Sequence, residues 1–533
     1  MKHPMWGQLL ESMSTGGITP DGTKYGPGGS PAMLGEVLIR AAVAGESVPR
    51  SEIGKGSMLT QPSVLASGTV GKAVEALVRE ELLVAEDTRK SGQPGPPITP
   101  LRLDRDRWAI VGIHIDQQHE GPDKLAGIVC GLDRKPLCDL TEVTVPKKGD
   151  QHDLDDLVEV IGNLTKALLT GLPGRRRFLG VGVEIGGHVH QGIVKDSVHA
   201  GWSQVDLHQV LTNVLSEIRE LEHVPVVVEN DVNALAIHGY YERSIDGLDV
   251  ALITVFRQGV GGALLLNDRM YRGIRGMAPE PGHVAAEYPE DMPPAARSAT
   301  PSTVADRTFA DECLCSTKDR KAYGHVDTLA VPARIEGQLA VLQGGRKVSL
   351  EEAAAAPVAI QRDETTLVFT HEAVVLRRAG RALGRGLTDM INILNPGHLV
   401  LRLPTALATP APQTSGAEYL AAAEREIDGA YSTGPSDARR ENHRLTVQGY
   451  DDDNVARDGA IAAATTVFNG FIEHARGLDG CDPVDVGSRR TGPSRRAPRE
   501  PAATRLTAVP NAPVMRRGTP IRAAASTYPG ERH

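Results

Sequence analysis

Apolar positions recur at helical spacing in residues 33–90 and then change to runs. Met33-Leu34, Val37-Leu38 and Ala41-Ala42-Val43 fall three to four residues apart and predict an amphipathic helix. A turn with Gly45 and Pro49 follows, and Ser51-Glu52-Ile53 caps a second helix. A third helix begins near Thr60 or Ser67 and runs through Val74, Leu77 and Val78 to Leu82-Leu83. Ser91–Pro97, rich in Gly and Pro, reads as a turn between two short strands. From Trp108 to about Phe471, apolar runs alternate with helical stretches, the pattern of an α/β fold. The clearest strands are 109–115, 125–131, 178–184, 224–228, 250–255, 262–266 and 398–403.

The two ends carry little periodicity. Residues 1–31 are rich in Gly, Ser, Thr and Pro and are expected to be a flexible leader. Residues 477–533 are expected to be a disordered Arg/Pro-rich tail. Within it, residues 482–533 hold ten Arg, no Lys and four acids, a charge of +6 against −9 for the whole chain. Two readings of that tail stand, a solvated extension or a source of non-specific attraction to DNA.

A chain of 533 residues accommodates two or three domains. Five unevenly placed cysteines do not make a disulfide framework. The first residues lack the apolar stretch of a signal peptide, and no apolar run is long enough to span a bilayer. A cytoplasmic protein without a membrane partner is therefore expected.

The front module, residues 32–105, has the element order of a winged helix-turn-helix. Its candidate DNA contacts are Thr60, Gln61 and Ser63 at one possible start of the recognition helix. Ser67, Thr69 and Lys72 mark a second possible start, and Arg89 lies in the wing. Hydroxyls at a helix start bond phosphates, and Gln pairs with adenine in the major groove. A plain three-helix packing bundle is the competing reading. Residues 36–107 balance ten basic against ten acidic side chains, and Gly68 and Gly71 fall inside the third helix.

In the body, Val228-Glu229-Asn230-Asp231 ends a strand in polar side chains, where α/β sheets bind ligands. An Asn-Asp pair there can hold sugar hydroxyls, with Asp231 able to act as a base. Glu280 and His283 can converge on the same cleft. Gly259, Gly261 and Gly262 permit either close approach of a phosphate or an ordinary hairpin turn. Cys313 and Cys315, with His283 before and His325 after, supply four possible ligands for one structural zinc; incidental thiols are the alternative. His188 and His190 are expected at a loop edge after Gly186-Gly187.

The order Asn230-Asp231, Gly259-Val-Gly-Gly262, Arg275-Gly-x-x-x-Glu280-x-Gly-His283 and Cys313-x-Cys315 resembles the ROK family (repressor, open reading frame, kinase) across about residues 33–475. Gly201-Trp202 fits the same pattern. The resemblance implies a two-lobe actin-like, ribonuclease H-like sugar-kinase fold over residues 106–476, behind the winged helix. It implies that Asn230, Asp231, Glu280 and His283 face a sugar, with Asp231 at the catalytic-base position and Asp327 at a further sugar-contacting position. It also implies a zinc motif in which His325 stands where the family has its third cysteine.

Two departures bear on activity. Family kinases carry D-x-G-G-T on the first strand pair, where this chain has His114-Ile115-Asp116-Gln117-Gln118. The late Gly-Gly is replaced by Arg402-Leu403-Pro404. Phosphoryl transfer rests on positioning and charge neutralisation, so no ATP and no catalytic residue are expected. The expected function is a DNA-binding transcriptional regulator of carbohydrate metabolism, most naturally a repressor. It would work as a homodimer or tetramer on operator DNA with a sugar effector. An ATP-dependent sugar kinase is the alternative, and a degenerate protein that binds neither DNA nor sugar is a third.

Overall fold

The computed structural model describes residues 3–15, 17–18, 24–44, 47–53, 67–87, 99–116, 122–145, 153–172, 174–197, 201–242, 249–267, 269–287, 324–361, 367–432 and 444–478. Two five-stranded mixed sheets form the body. The first orders strands Val226–Asn230, Arg177–Ile185, Trp108–Asp116, Asp123–Gly131 and Thr141–Val145. The first three run parallel and the last two return antiparallel. The second orders Arg269–Tyr271, Val260–Leu266, Val250–Val255, His398–Pro404 and Arg444–Tyr450. It repeats the scheme of an antiparallel meander with two parallel strands beside it.

The strand expected at 224–228 begins instead at Val226 and runs to Asn230. Pro225 has no N–H to give to a ladder, although its carbonyl accepts from the Val181 amide at 2.8 Å. The strands Thr141–Val145 and Arg444–Tyr450 carry no unbroken apolar run, because each lies at an edge with half its side chains turned outward.

The body closes around the helix Asp452–Ala475. Its small residues let it lie directly on the first sheet. A Cβ on Gly112 or Gly182 would overlap the Ala460 or Ala463 carbonyl, and one on Gly180 would overlap Val467. The other side of the helix packs on Asp231–Tyr241, with Tyr241 stacked edge-on against Phe468 and bonded to Asn469 at 3.1 Å.

The front module holds helices Pro31–Val43, Arg50–Ile53 and Ser67–Arg79. Its antiparallel sheet has three strands rather than two, Val48–Pro49, Pro100–Leu103 and Leu83–Ala85. Of the candidate DNA contacts, Thr60, Gln61, Ser63 and Arg89 lie outside the described residues. Ser67 and Thr69 open the third helix, and Lys72 is exposed on it.

The flexible leader needs correction. Pro4–Ser14 is a helix, started by Pro4 and capped by the His3 ring, with Trp6, Leu9, Leu10 and Met13 buried along one stripe. The count of Gly, Ser, Thr and Pro over 31 residues hid a short stretch of helical period. This helix joins the two modules. Trp6 donates its indole N–H to the Leu179 carbonyl at 2.9 Å and meets Phe471 edge-on, while the Met13 carbonyl accepts from Gly28 at 3.0 Å. In the expected tail, residues 479–533 lie outside the described residues. Among the described residues no helix is long and apolar enough to cross a membrane.

Candidate functional site

The strand Val226–Asn230 delivers its polar end to the cleft, and Asn230 then caps the helix Asp231–Tyr241 by accepting from the Asn233 amide at 3.1 Å. The Asn230 amide donates to the Gly187 carbonyl at 2.9 Å and to Asp231 Oδ1 at 2.8 Å. Val232 N–H donates to the same Oδ1 at 2.8 Å. Burial pushes the Asp231 carboxyl up to about 7, with the Glu184 charge acting the same way; Val232, His114 and Asn230 pull it back only in part. At neutral pH it is therefore as ready to donate as to accept.

Behind this pair, Glu229 is buried and fully engaged. Its Oε1 accepts from the Asn230 backbone and the Asn233 side chain, both at 3.0 Å. Its Oε2 takes the Arg272 fork at 2.9 and 2.6 Å. These bonds hold the Asn230-Asp231 turn.

The second arm of the cleft comes from the turn after Arg269–Tyr271. Glu280 bonds His188 Nε2 at 2.6 Å and faces His283 Nε2 at 3.8 Å. His283 Nδ1 faces Asp327 at 3.6 Å, and Asp327 accepts from the Val260 amide at 2.7 Å. Burial raises the Asp327 carboxyl to about 6, reinforced by Glu280 and opposed by Val260, His283 and Arg334. The structure thus joins Glu280, His283 and Asp327 into one chain of contacts. Gly187, bonded to Asn230, and His188, bonded to Glu280, connect that chain to Asn230 and Asp231.

His188 was expected at a loop edge; it lies instead on the short strand His188–His190, and its bond to Glu280 raises its pKa. Nothing local marked it, since its partner is 92 positions away. The preceding Gly187 is the only hint: its φ of +113 lets the chain turn beside Ser197.

Gly259, Gly261 and Gly262 lie in and beside a hairpin, where Phe256 N–H donates to the Gly259 carbonyl at 2.8 Å. A Cβ on Gly261 would overlap Val232, and one on Gly262 would press on Pro281 and Pro279. Close packing accounts for the last two glycines, and Gly259 sits over Asp327.

On the first strand pair, at the position where family kinases carry D-x-G-G-T, the chain places a buried pair. His114 Nδ1 bonds Glu184, and both side chains are buried. Burial by itself would lower the imidazole, but Glu184 outweighs it by charge and hydrogen bond, with Asp116 and Asp231 adding, so the pKa is raised. The pair is covered by Gly459, where any Cβ would overlap it. Beside it Arg402 pairs with Asp458 at 2.6 Å and stacks 4.9 Å from the Tyr450 ring, at the position of the missing Gly-Gly.

For the candidate zinc site, the His283 and His325 rings lie 6.3 Å apart and tilted by 56°. Cys313 and Cys315 lie outside the described residues. Among the described residues no group of three or more His, Cys, Asp or Glu is arranged to hold a metal. Of that Cys2His2 donor set only the two imidazoles lie among the described residues, and both ring nitrogens of His283 face carboxylates, Nε2 towards Glu280 and Nδ1 towards Asp327.

Comparison with known proteins agrees with this architecture. A glucokinase of Halalkalibacterium halodurans is 28% identical over 128 residues, 23% of this chain and 37% of that protein. A xylose repressor of Bacillus spizizenii is 23% identical over 350 residues, 64% of this chain and 76% of that protein. A xylose repressor of Bacillus subtilis is 24% identical over 236 residues, covering 56% of its length. The matches thus span from about a third to three quarters of these relatives. The solved structure of a ROK family transcriptional regulator, a homologue of the E. coli MLC protein, shares the fold, with a TM-score of 0.56 at 17% identity over 83% of this chain and 99% of that one. The ROK family profile matches residues 121–405, more than half of the sequence. The chain belongs to the ROK family.

Proposed function

We propose that this protein is a DNA-binding transcriptional regulator, acting as a repressor, whose ROK body binds a sugar effector. The observation that carries the reading is the front module. Three helices and a three-stranded sheet are fixed to a ROK body by the helices Pro4–Ser14 and Asp452–Ala475. The module is a winged helix-turn-helix in this reading. Thr69 and Lys72 on the helix Ser67–Arg79 contact DNA, together with Ser67, Thr60, Gln61, Ser63 and Arg89. The effector lies against Asn230, Asp231, Glu280, His283 and Asp327, and the names of the two repressor relatives make xylose the first sugar to try. A structural zinc held by His283, Cys313, Cys315 and His325 would pin the arm that carries Glu280. A homodimer on a two-fold operator completes the reading.

Sugar binding would work by linkage, favouring one arrangement of the recognition helices over another. A mobility-shift titration on the gene's own upstream DNA, over a salt series and with xylose, glucose and N-acetylglucosamine, tests it. A specific shift released by one sugar is expected. Affinity indifferent to every sugar would overturn it.

A sugar kinase is the second reading. The glucokinase relative favours it, and so does Asp231, whose pKa near 7 suits a general base. The buried His114–Glu184 pair and the Arg402–Asp458 pair stand against it, because they stand at the sequence positions where family kinases carry D-x-G-G-T and the late Gly-Gly. An ADP-release assay with the same sugars separates the two; turnover would favour the kinase.

A further inference from the structure

A cavity of about 370 Å³ lies behind the sugar cleft, on the far face of the strand Val226–Asn230. Its opposite wall is His3 and Trp6 of the N-terminal helix with Asn469 and Glu473 of the helix Asp452–Ala475. The hairpin tip at His190 and the strand carrying Arg269 close the third side. The volume falls in the range of small-molecule sites.

The polar groups that reach it are mostly donors. Imidazoles of His3, His190 and His208 and the guanidinium groups of Arg269 and Arg272 face two carboxylates, Glu229 and Glu473. Glu229 is already committed to Arg272, at 2.6 Å. The surroundings resist further positive charge. Burial first, then the neighbouring His208, His474 and His223, push the His3 pKa down to about 4. His190 is lowered by burial, then by Lys195 and Arg272, with Glu229 alone opposing. Trp6, Val227 and Met270 supply apolar surface.

We propose that this cavity is a second effector site, which takes a small amphipathic organic anion, a carboxylate or a phosphate monoester. The acidic group faces Arg269 and the imidazoles of His3 and His190, and the apolar body lies against Trp6. An anion there competes with Glu229 for Arg272, and Glu229 is the residue that holds Asn230 and Asn233 in place. It also touches the helix that ties the front module to the body. A metabolite other than the sugar could thereby reach both the sugar cleft and the DNA-binding module.

Calorimetric titration of the full chain, without DNA, tests the site with phenyl phosphate and benzoate as probes and benzyl alcohol as the neutral control. At least one anion is expected to bind with Kd of about 1 mM or tighter, and the control to bind far more weakly. Whichever anion binds tighter assigns the acidic group. Arg269→Ala and His190→Ala are each expected to weaken that binding about tenfold with unchanged thermal melting. Absence of binding by both anions, equal binding of the alcohol, or wild-type binding by both variants would each overturn the proposal. Because no operator is present, a failed mobility shift and a failed titration are distinguishable.

Discussion

Asp231 carries a cost that its surroundings only partly relieve. Its carboxyl ionises near 7 in the fold and near 3.8 when exposed, so the folded state holds the extra proton between those values. Stability therefore falls as pH rises through that window. Asp231→Asn keeps an acceptor for Asn230 and Val232 and removes the charge. It is expected to stabilise the free protein at pH 8 by about 1 kcal/mol, after discounting for partial exposure. The gain should vanish near pH 4, and thermal melts at the two pH values check it. The same change should weaken sugar binding. His188→Ala deprives Glu280 of its partner and is expected to weaken sugar binding about tenfold, read by calorimetry with the effector that the mobility shift identifies. The zinc proposal belongs to this scale too. About one zinc per chain is expected by elemental analysis, and His325→Ala should lose it.

At the scale of the elements, glycines divide by what surrounds them. Gly112, on the strand beneath the helix Asp452–Ala475, has no room for a methyl group, because the obstacle is the Ala460 backbone rather than a flexible side chain. Gly112→Ala is expected to cost about 3 kcal/mol. Gly337, inside the helix Pro332–Leu342, has nothing within 4 Å of a Cβ. Gly337→Ala should stabilise by up to about 1 kcal/mol through helix propensity alone. Denaturant titration of both variants gives the comparison, and equal effects would contradict the packing account.

For the whole molecule, the joint between modules decides how a signal can travel. The helix Asp452–Ala475 meets the front at its C-terminal end, where a Cβ on Gly35 would press on Ala475 and Arg476. Its middle reaches the helix Asp231–Tyr241 through Thr465 and Asn469, which bond His238 and Tyr241. Trp6 clamps the second connection. Trp6→Ala is expected to cost about 3–5 kcal/mol and to split a single calorimetric transition into two, front module and body. In such a variant, any sugar dependence of operator binding should diminish.

Long apolar strands were readable because burial on both faces writes itself as an unbroken run, and the seven expected strands all occur with ends shifted by a residue or two. The Asn230-Asp231 turn and the Glu280–His283 segment were readable because their polar groups are local. What pairs across the chain was not. His188 meets Glu280 over 92 positions and His114 meets Glu184 over 70, and no local spacing encodes either. The altered phosphate motif was visible as Asp116 and Gln117 in place of glycines. Only the tertiary structure showed that His114 pairs with Glu184 directly against Gly459. The N-terminal helix was misread as a leader, because its stabilisation comes from Leu179, Phe471 and Gly28 rather than from its own eleven residues. The sequence by itself determined the family, through its motifs, and the long buried strands and helices of the body, through local period. The structure decided which side chains touch, which carboxyls burial pushes upward and how the front is tied to the body. Those depend on distances between residues far apart in the chain.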